Sequence, residues 1–533
     1  MKKIVGLLLV VLLLAFAGSA FAADANKSKM LRFSMANTPK LDPAVGADTS
    51  SAITFSNIYD TLVFPDLDGA IIPHLALNWD ISPDGLTYTF HLRNDAKFHS
   101  GNPLTAEDVV FSMERLLTIQ KGYAYLYSSA VKSVSAPDQY TVEFKLNKVF
   151  GPFLSSLIHF SIVDKKLIME NLQPGDYGDM KDYGTNYLLA NDAGSGPYMV
   201  KELVVNQHLI ADKFDDYWAG FKPNNPDGFK LIGTTEPVTI RTLMSRKELE
   251  ITDEYQPMEN YEALAKMDGI EIANFPSGKV MMVQINTSKA PVDDVHFRRM
   301  LAYVIDYQAL CDLTNSNVAR GPISSELPGS DTSIAPLSLN LEKAKEELAL
   351  SKYAKELDKY PLDIIWTAET PDREKIALAI QANASEVGIK ANVVKVPWLT
   401  LVSMNTQQDT APPAVIMPLL PDYPEAGAVL SAGFHSSSLR TTRNIGWQIN
   451  PTVDRLIDEA MSTLETEDRF EKYKSAQVQI MNDMPVIPIF GVGERHAYQS
   501  SYITWAQAEL VKEGKPLAPN QCYNIYMRNI EFK

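Results

Sequence analysis

Residues 361–396, PLDIIWTAETPDREKIALAIQANASEVGIKANVVKV, decide the fold of this chain. Residues 363–366 are a short apolar run typical of a buried strand, and Thr370 followed by Pro371 predicts a helix start. Apolar side chains then recur at helical spacing until a glycine, and residues 389–396 predict a second strand. A strand, a helix and a strand of this length predict a crossover between parallel strands.

The ends of these strands are the expected ligand site, because ligands of such sheets bind beyond the carboxyl ends of the strands. A third apolar run, residues 414–420, follows at a spacing that allows another strand. The three strand ends carry Trp366, Trp398 and Asp422. We therefore expect two tryptophans and an aspartate to converge on one edge of the sheet.

An earlier part of the chain combines strands and helices in mixed order. Residues 86–93 and 140–146 alternate apolar and polar side chains, as strands with one buried face do. Between them, Thr105 and Asp108 form a capping-box pattern that predicts a helix start.

Composition excludes several classes of protein. The chain has 533 residues, enough for several domains, with 45% hydrophobic and 21% charged residues, as in a soluble globular protein. Its formal net charge of −16 argues against nucleic-acid binding and gives no general attraction to anionic lipid. The cysteines, Cys311 and Cys522, are too few for a disulfide framework or a structural zinc site, and their pairing stays open.

The first 22 residues predict a cleavable signal peptide. Lys2 and Lys3 precede an apolar run at 4–17 and the A-x-A pattern that ends at Ala22. The run is shorter than the ~20 residues that a membrane-spanning helix needs. The residue directly after the cleavage site is not a cysteine, so we expect an exported, periplasmic protein without a lipid anchor.

Catalytic patterns are scarce. Neither phosphate-binding glycine pattern occurs, and the eight histidines include no closely spaced ligand pair. Ser129 and Lys132 match S-x-x-K, but the accompanying S-D-N and K-T-G patterns do not occur. We therefore expect no catalytic residue, no metal site and no cofactor, and a binding protein rather than an enzyme. A periplasmic hydrolase built on Ser129 is the remote alternative.

Longer matches give the chain a family resemblance. Residues 77–93 and 97–109 are similar, nearly position by position, to the signature of the extracytoplasmic solute-binding proteins of peptide/nickel-type ABC importers, family 5. Shorter ordered matches span the rest of the chain, at residues 41–43, 58–60, 194–198, 217–218, 291–298, 450–454 and 524–526.

The resemblance implies an α/β fold with two lobes that close on a ligand in the cleft between them. Lobe I is expected at residues 23–280 with a subdomain at about 68–195, and lobe II at 281–486. Residues 487–533 return to lobe I. The resemblance also implies a monomer that delivers its ligand to an ABC permease in the inner membrane.

The resemblance also implies site residues. Asp422 begins an Asp-Tyr-x-Glu sequence that in the peptide-binding branch takes the α-ammonium group of the ligand, although a solvated loop aspartate is the alternative. Trp398 matches a pocket wall, and residues 47–49 offer extended backbone to a peptide. The full set of candidates is Asp422, Tyr423, Glu425, Trp366, Trp398, Ala47, Asp48, Thr49, Tyr123, Tyr125, Asp253, Glu254, Met282 and Gln284.

The chain departs from oligopeptide binders where these use basic residues for the ligand carboxylate. The corresponding positions are Asp372, Asn405 and Ile416. Arg440 and Arg443 either substitute for them or belong to a surface turn. We therefore expect a pocket richer in carboxylates than in guanidinium groups, and no tight recognition of a C-terminal carboxylate.

The sequence thus predicts a transport protein that captures a peptide or another amine-bearing solute. A sugar, a metal chelate or another small nutrient on the same fold is the alternative, since a fold does not fix the ligand.

Overall fold

The computed structural model describes residues 29–441 and 443–533. The predicted signal peptide lies outside these residues. Across the described ranges, no helix combines the length and the apolar character needed to cross a membrane.

The first part of the chain forms two four-stranded sheets and a small hairpin. The sheet orders are β1-β10-β9-β8 and β4-β5-β7-β6, and β2 pairs with β3. The strands are β1 Met30–Met35, β2 Val63–Pro65, β3 Ile71–Pro73, β4 Ala76–Ile81, β5 Thr87–Leu92, β6 Val131–Asp138, β7 Thr141–Leu146, β8 Tyr198–Val204, β9 His208–Lys213 and β10 Gly228–Gly233. The helices are α1 Thr49–Ile58, α2 Ala106–Ile119, α3 Phe153–Ser156, α4 Lys165–Glu170, α5 Pro237–Ser245 and α6 Met258–Ala265.

Local sequence explains the elements of the second sheet. The side chains of β5 alternate between partly and fully buried, as the period-two pattern predicts. Helix α2 begins where the capping box predicts it, because the Asp108 carboxylate accepts the Thr105 backbone N–H at 2.9 Å. These predictions are confirmed.

The second part is a five-stranded sheet with helices packed around it, in the strand order β13-β12-β14-β11-β15. Its strands are β11 Glu271–Ile285, β12 Leu362–Thr367, β13 Ala391–Val396, β14 Ala414–Leu419 and β15 Val486–Tyr498. Its helices are α7 Val295–Tyr303, α8 Tyr307–Thr314, α9 Leu341–Leu350, α10 Asp372–Glu386, α11 Trp398–Met404, α12 Ala426–Phe434, α13 Pro451–Met461 and α14 Thr466–Asp483.

Residues 361–396 fold into the predicted strand, helix and strand. Strands β12 and β13 are parallel, with helix α10 between them, and β14 lies parallel to β12 on its other side. The helix begins one residue later than its sequence signal, with Pro371 at the N-cap. Asp422 therefore follows the end of a parallel strand.

Two long strands connect the two parts of the molecule. Strand β11 has 15 residues and β15 has 13, and they pair antiparallel along most of their length with an irregularity between Phe275 and Lys279. The predicted lobe bounds at 280/281 and 486/487 fall within these strands. The chain ends in β16 Ile503–Trp505, α15 Ala506–Lys512, α16 Gln521–Asn524 and β17 Ile530–Phe532.

The buried cores follow this division. The largest cluster draws on residues 31–275 and 498–530, and two others lie within 280–490. Tyr423 and Ala428 from the second part belong to the largest cluster, so the two parts are in contact across the cleft. The predicted α/β fold with two lobes is confirmed. The lobe bounds stay predictions, and the names lobe I and lobe II refer to these predicted residue ranges.

Candidate functional site

A small cavity lies between the lobes beyond the end of strand β14. Its volume is about 50 Å³. Lobe II contributes Leu420, Pro421, Asp422, Tyr423, Pro424 and Arg443, and lobe I contributes Ala47, Thr49, Ala52, Tyr123, His159, Ser277, Pro519 and Asn520. This is the strand edge at which the sequence predicts a ligand.

Asp422 is buried here and has a cationic partner. Its side chain is 4% exposed, and Nη2 of Arg443 lies 2.5 Å from its Oδ1. Arg443 also donates through Nη1 to the carbonyl of Leu420, at 3.2 Å. Arg443 therefore does not belong to a plain surface turn. Its guanidinium faces Asp422 and is not available to the carboxylate of a ligand in this position.

Aromatic side chains of lobe I cover this pair. The ring of Tyr123 stacks on His159 with centroids 4.2 Å apart, and His159 Nε2 hydrogen-bonds the Asp422 carbonyl. Burial lowers the pKa of His159, so the ring is neutral near pH 7. Half of Tyr125 is exposed, but burial of its hydroxyl and then the charge of Asp422 raise its pKa well above the usual range. Tyr123 thus lines the cavity, while Tyr125 lies close to Asp422 without lining the cavity itself.

The segment at residues 47–49 lies at the same cavity. Ala47 and Thr49 line it. Asp48 instead caps helix α1, because its carboxylate accepts the backbone N–H of Ser51 at 3.1 Å. The side chain of Asp48 therefore has a structural function, while the backbone around it borders the cleft.

A larger cavity of about 420 Å³ lies beside the crossing strands. It is lined from both lobes, by residues that include Phe275, Val280, Asn317, Ile323, Val511 and Leu517. Neighbouring residues of strand β11 form part of the wall of each cavity, since Pro276 lines the larger one and Ser277 the smaller one. Glu326 fixes this wall by accepting the N–H groups of Ser277 and Gly278 at 3.1 and 2.9 Å.

The larger cavity is cationic. Arg320, Arg495 and Lys515 line it, against the single carboxylate of Glu326. Burial lowers the pKa of Arg495, whose Nη2 donates to the carbonyls of Thr314 and Asn315. Segments far apart in the sequence bring these cations together, so this cavity differs from the carboxylate-rich pocket that the sequence predicts, which stays a prediction for the ligand site.

Glu425 does not face either cavity. Its oxygens accept Nε and Nη2 of Arg469 at 2.8 and 3.0 Å, and Tyr473 donates to it at 2.5 Å. Both members of the pair are 5% exposed. Glu425 thus has the contacts of a core ion pair within lobe II, and its predicted ligand role has no support from this geometry.

The predicted acidic pair of lobe I is also engaged in internal contacts. Asp253 is fully buried and accepts from Ser34 Oγ and Gln256 Nε2, both at 2.8 Å, and burial raises its pKa. Glu254 forms an ion pair with Lys279 of strand β11 at 2.7 Å. Neither residue lines the two cavities.

The crossing-strand residues belong to the core. Met282 packs in a hydrophobic cluster of lobe II, and Gln284 is 2% exposed, with Oε1 accepting the N–H of Ile445 at 3.4 Å. Neither side chain lines either of the two cavities described above.

The tryptophans do not converge on the cavities. Trp366 is 2% exposed in the lobe II core, and Trp447 donates to Asn405 at 2.9 Å. Trp398 begins helix α11, and its N–H binds the carboxylate of Glu369 at 2.9 Å. The expected convergence of two tryptophans with Asp422 is wrong, because these side chains pack into lobe II.

The remaining chemistry is sparse. Ser129 precedes strand β6 and Lys132 lies on it, so the S-x-x-K spacing does not form a helical turn. Cys311 is a buried free thiol. In the part of the chain that the structure describes, no group of three or more histidine, cysteine or carboxylate side chains has a metal-binding arrangement.

Sequence reasoning missed several residues of the cavities. His159, Arg320, Arg495, Lys515 and Glu326 were not predicted. Arg443 was named in the sequence analysis, either as a substitute for the missing basic residues or as part of a surface turn. Its contact with Asp422 was not predicted.

Two lobes joined by paired strands, with a cleft between them, define a binding protein that closes on its ligand. The model of the bacterial extracellular solute-binding proteins, family 5, matches residues 70–440. The chain belongs to this family.

Named relatives agree in fold and extent. The probable D,D-dipeptide-binding periplasmic protein DdpA of Escherichia coli strain K12 is 30% identical over 468 residues, covering 85% of this chain and 87% of that protein. The periplasmic binding protein DppA of Helicobacter pylori, in complex with the peptide STSA, superposes with a TM-score of 0.79 at 23% identity, covering 94% and 98% of the two chains. NikZ of Campylobacter jejuni, in complex with Ni(L-His), gives a TM-score of 0.79 at 18% identity, covering 95% and 100%.

Proposed function

We propose that this protein captures a short peptide or a related amine-bearing solute between its lobes and delivers it to an ABC permease. The observation that carries the proposal is the buried Asp422 carboxylate at a cavity between the lobes. A buried carboxylate needs a cation or several donors, and a ligand ammonium group supplies both a charge and donors.

The walls around Asp422 suit a peptide. The backbone at residues 47–49 borders the cavity and can pair with an extended main chain, which selects for peptides without reading their side chains. The 420 Å³ cavity supplies room, and its Arg320, Arg495 and Lys515 side chains suit a carboxylate at the other end of the ligand. A zwitterion that spans both cavities is the ligand this arrangement favours.

The relatives support the same class of ligand. The D,D-dipeptide-binding relative and the structure with the peptide STSA both name peptides. The periplasmic location that the name of the first relative states agrees with the signal peptide predicted at residues 1–22. We assign this chain to the periplasm and to a non-catalytic function.

A metal chelate is the second candidate, since the neighbour in complex with Ni(L-His) has the same fold. Such a chelate needs no metal-ligating cluster in the protein. A sugar is disfavoured because Trp366, Trp398 and Trp447 do not line the cavities and cannot stack on a sugar ring there.

Thermal-shift measurements separate these ligands. Purified mature protein is mixed with dipeptides, N-acetylated dipeptides, monosaccharides and nickel–histidine. We expect free dipeptides to raise the midpoint of unfolding and the acetylated forms to raise it far less. Stabilisation by sugars alone or by nickel–histidine alone would reject the peptide proposal.

A further inference from the structure

The carboxylate of the cleft is already neutralised by the protein itself. Arg443 and Asp422 both belong to lobe II, and their contact at 2.5 Å needs no group from lobe I. The same guanidinium donates to the carbonyl of Leu420, just before Asp422. Arg443 therefore occupies the position on Asp422 that a ligand cation would take.

The contact has the features of one that can be released. Arg443 reaches a single oxygen of Asp422, and its side chain is 26% exposed. An arginine that donates from two guanidinium nitrogens to both oxygens of a carboxylate, away from water, is a stronger and more specific partner. Arg443 also hydrogen-bonds the side chain of Tyr125 from lobe I, which carries no charge that could replace the carboxylate of Asp422.

Arg443 and a ligand ammonium group compete for one negative charge. Asp422 is the single carboxylate among the described residues that line the small cavity, and its side chain is 4% exposed. A second cation would leave an uncompensated positive charge in a water-poor site. Binding of an ammonium group to Asp422 is therefore favoured once Arg443 has left it.

We propose that Arg443 is an intramolecular competitor that holds Asp422 in the empty protein and yields it to the ammonium group of the ligand. This inference rests on the proposed function. Competition raises the apparent dissociation constant of every amine by the same factor. Simple amines and inorganic cations are then rejected, while peptides, which add contacts along residues 47–49 and in the larger cavity, still bind.

Calorimetry on Arg443→Gln tests the proposal. The titrants are a dipeptide with a free N-terminus and its N-acetylated form. We expect Arg443→Gln to bind the free dipeptide about tenfold more tightly than the unmodified protein does and to gain nothing for the acetylated one. Arg443→Lys should fall between the two proteins. The matched control is Arg455→Gln, which removes an exposed arginine–glutamate pair of the same lobe.

Weaker binding of the free dipeptide by Arg443→Gln would make Arg443 a ligand contact and overturn the inference. Equal gains for both dipeptides would overturn it too. A double-mutant cycle of Asp422→Asn and Arg443→Gln on thermal unfolding of the empty protein supplies a ligand-independent check. We expect the two substitutions to be non-additive, and additivity would refute the contact. Loss of all peptide binding by the unmodified protein and every variant would instead refute the proposed function.

Discussion

Two acid–arginine pairs arise from one short segment, Asp422–Glu425, and they differ in every physical respect that matters. Glu425 and Arg469 are both 5% exposed, and two guanidinium nitrogens meet two carboxylate oxygens. Arg469 also donates to the carbonyls of Thr463 and Leu464. Asp422 and Arg443 share a single contact beside a cavity, and Arg443 is 26% exposed.

The difference separates scaffold from site. A charge whose donors and acceptors are all satisfied inside one lobe has nothing left for a ligand. A charge at the edge of a cleft, whose arginine partner reaches only one of its oxygens, can exchange that partner. Residue type and neighbourhood in the sequence do not distinguish the two cases, but the number and direction of the hydrogen bonds do.

The largest effect is expected from breaking the scaffold pair. Arg469→Met leaves Glu425 buried without its cation, which costs about 3–5 kcal/mol of unfolding free energy. Urea-induced unfolding measured by circular dichroism checks this. Arg455→Met, which removes an exposed pair, should change stability by less than about 1 kcal/mol. Similar losses for both variants would erase the distinction drawn between buried and exposed pairs.

A smaller effect is expected at the site, and on binding rather than on folding. Asp422→Asn keeps the shape of the side chain but removes the charge that attracts the ligand ammonium group. We expect the affinity for a free dipeptide to fall about a hundredfold, with little change for its N-acetylated form. Calorimetry checks this, with Glu459→Gln, an exposed residue paired within lobe II, as the control. Unchanged affinity would remove Asp422 from the site.

A buried histidine–glutamate pair extends the comparison to a cation whose charge depends on pH. Burial disfavours the charge on His496, but the hydrogen bond and charge of Glu494, 2.9 Å away, outweigh it and raise the pKa. The protonated pair therefore stabilises the fold fully below about pH 6.5, the pKa of histidine in the unfolded chain. This stabilisation is lost as the pH rises through the raised pKa of His496 in the folded protein.

We expect the unfolding free energy to decrease by about 1 kcal/mol above pH 6.5. Part of this decrease should disappear in His496→Gln. His99 beside Asp192, whose pKa is also raised against the effect of burial, supplies the rest. Identical pH profiles for the unmodified protein and His496→Gln would contradict the assignment. Chemical unfolding at several pH values checks it.

The smallest effect is expected for a pair that bridges the lobes at the surface. Lys375 of lobe II lies 3.1 Å from Glu259 of lobe I, with 43% and 70% of their side chains exposed. Solvent screens such a pair, so Lys375→Gln should weaken dipeptide binding by less than about threefold. A larger loss in calorimetry would mean that this pair, rather than the ligand, holds the lobes together.

Local pattern predicted much of the fold. The alternation at 86–93, the capping box at Thr105 and the βαβ unit at 361–396 each depend on neighbours in sequence, and the structure confirms them. Asp422 was also placed at the end of a parallel strand, because strand ends follow from the same pattern.

The details of the site depend on contacts that no local pattern encodes. Arg443 meets Asp422 only because the segment between them, which includes helix α12, folds back, and Glu425 turns inward although it follows Asp422 by three residues. The cations of the larger cavity come from three separate segments. Their common position along one cavity depends on tertiary contacts between these segments.

The most direct test of the account is the identity of the ligand that co-purifies with the protein. Native mass spectrometry of protein exported to the periplasm, followed by release and sequencing of the bound species, gives that identity. The account predicts short peptides with free N-termini, and it predicts their loss from Asp422→Asn. A sugar, a metal chelate or an N-blocked compound retained by both proteins would contradict it.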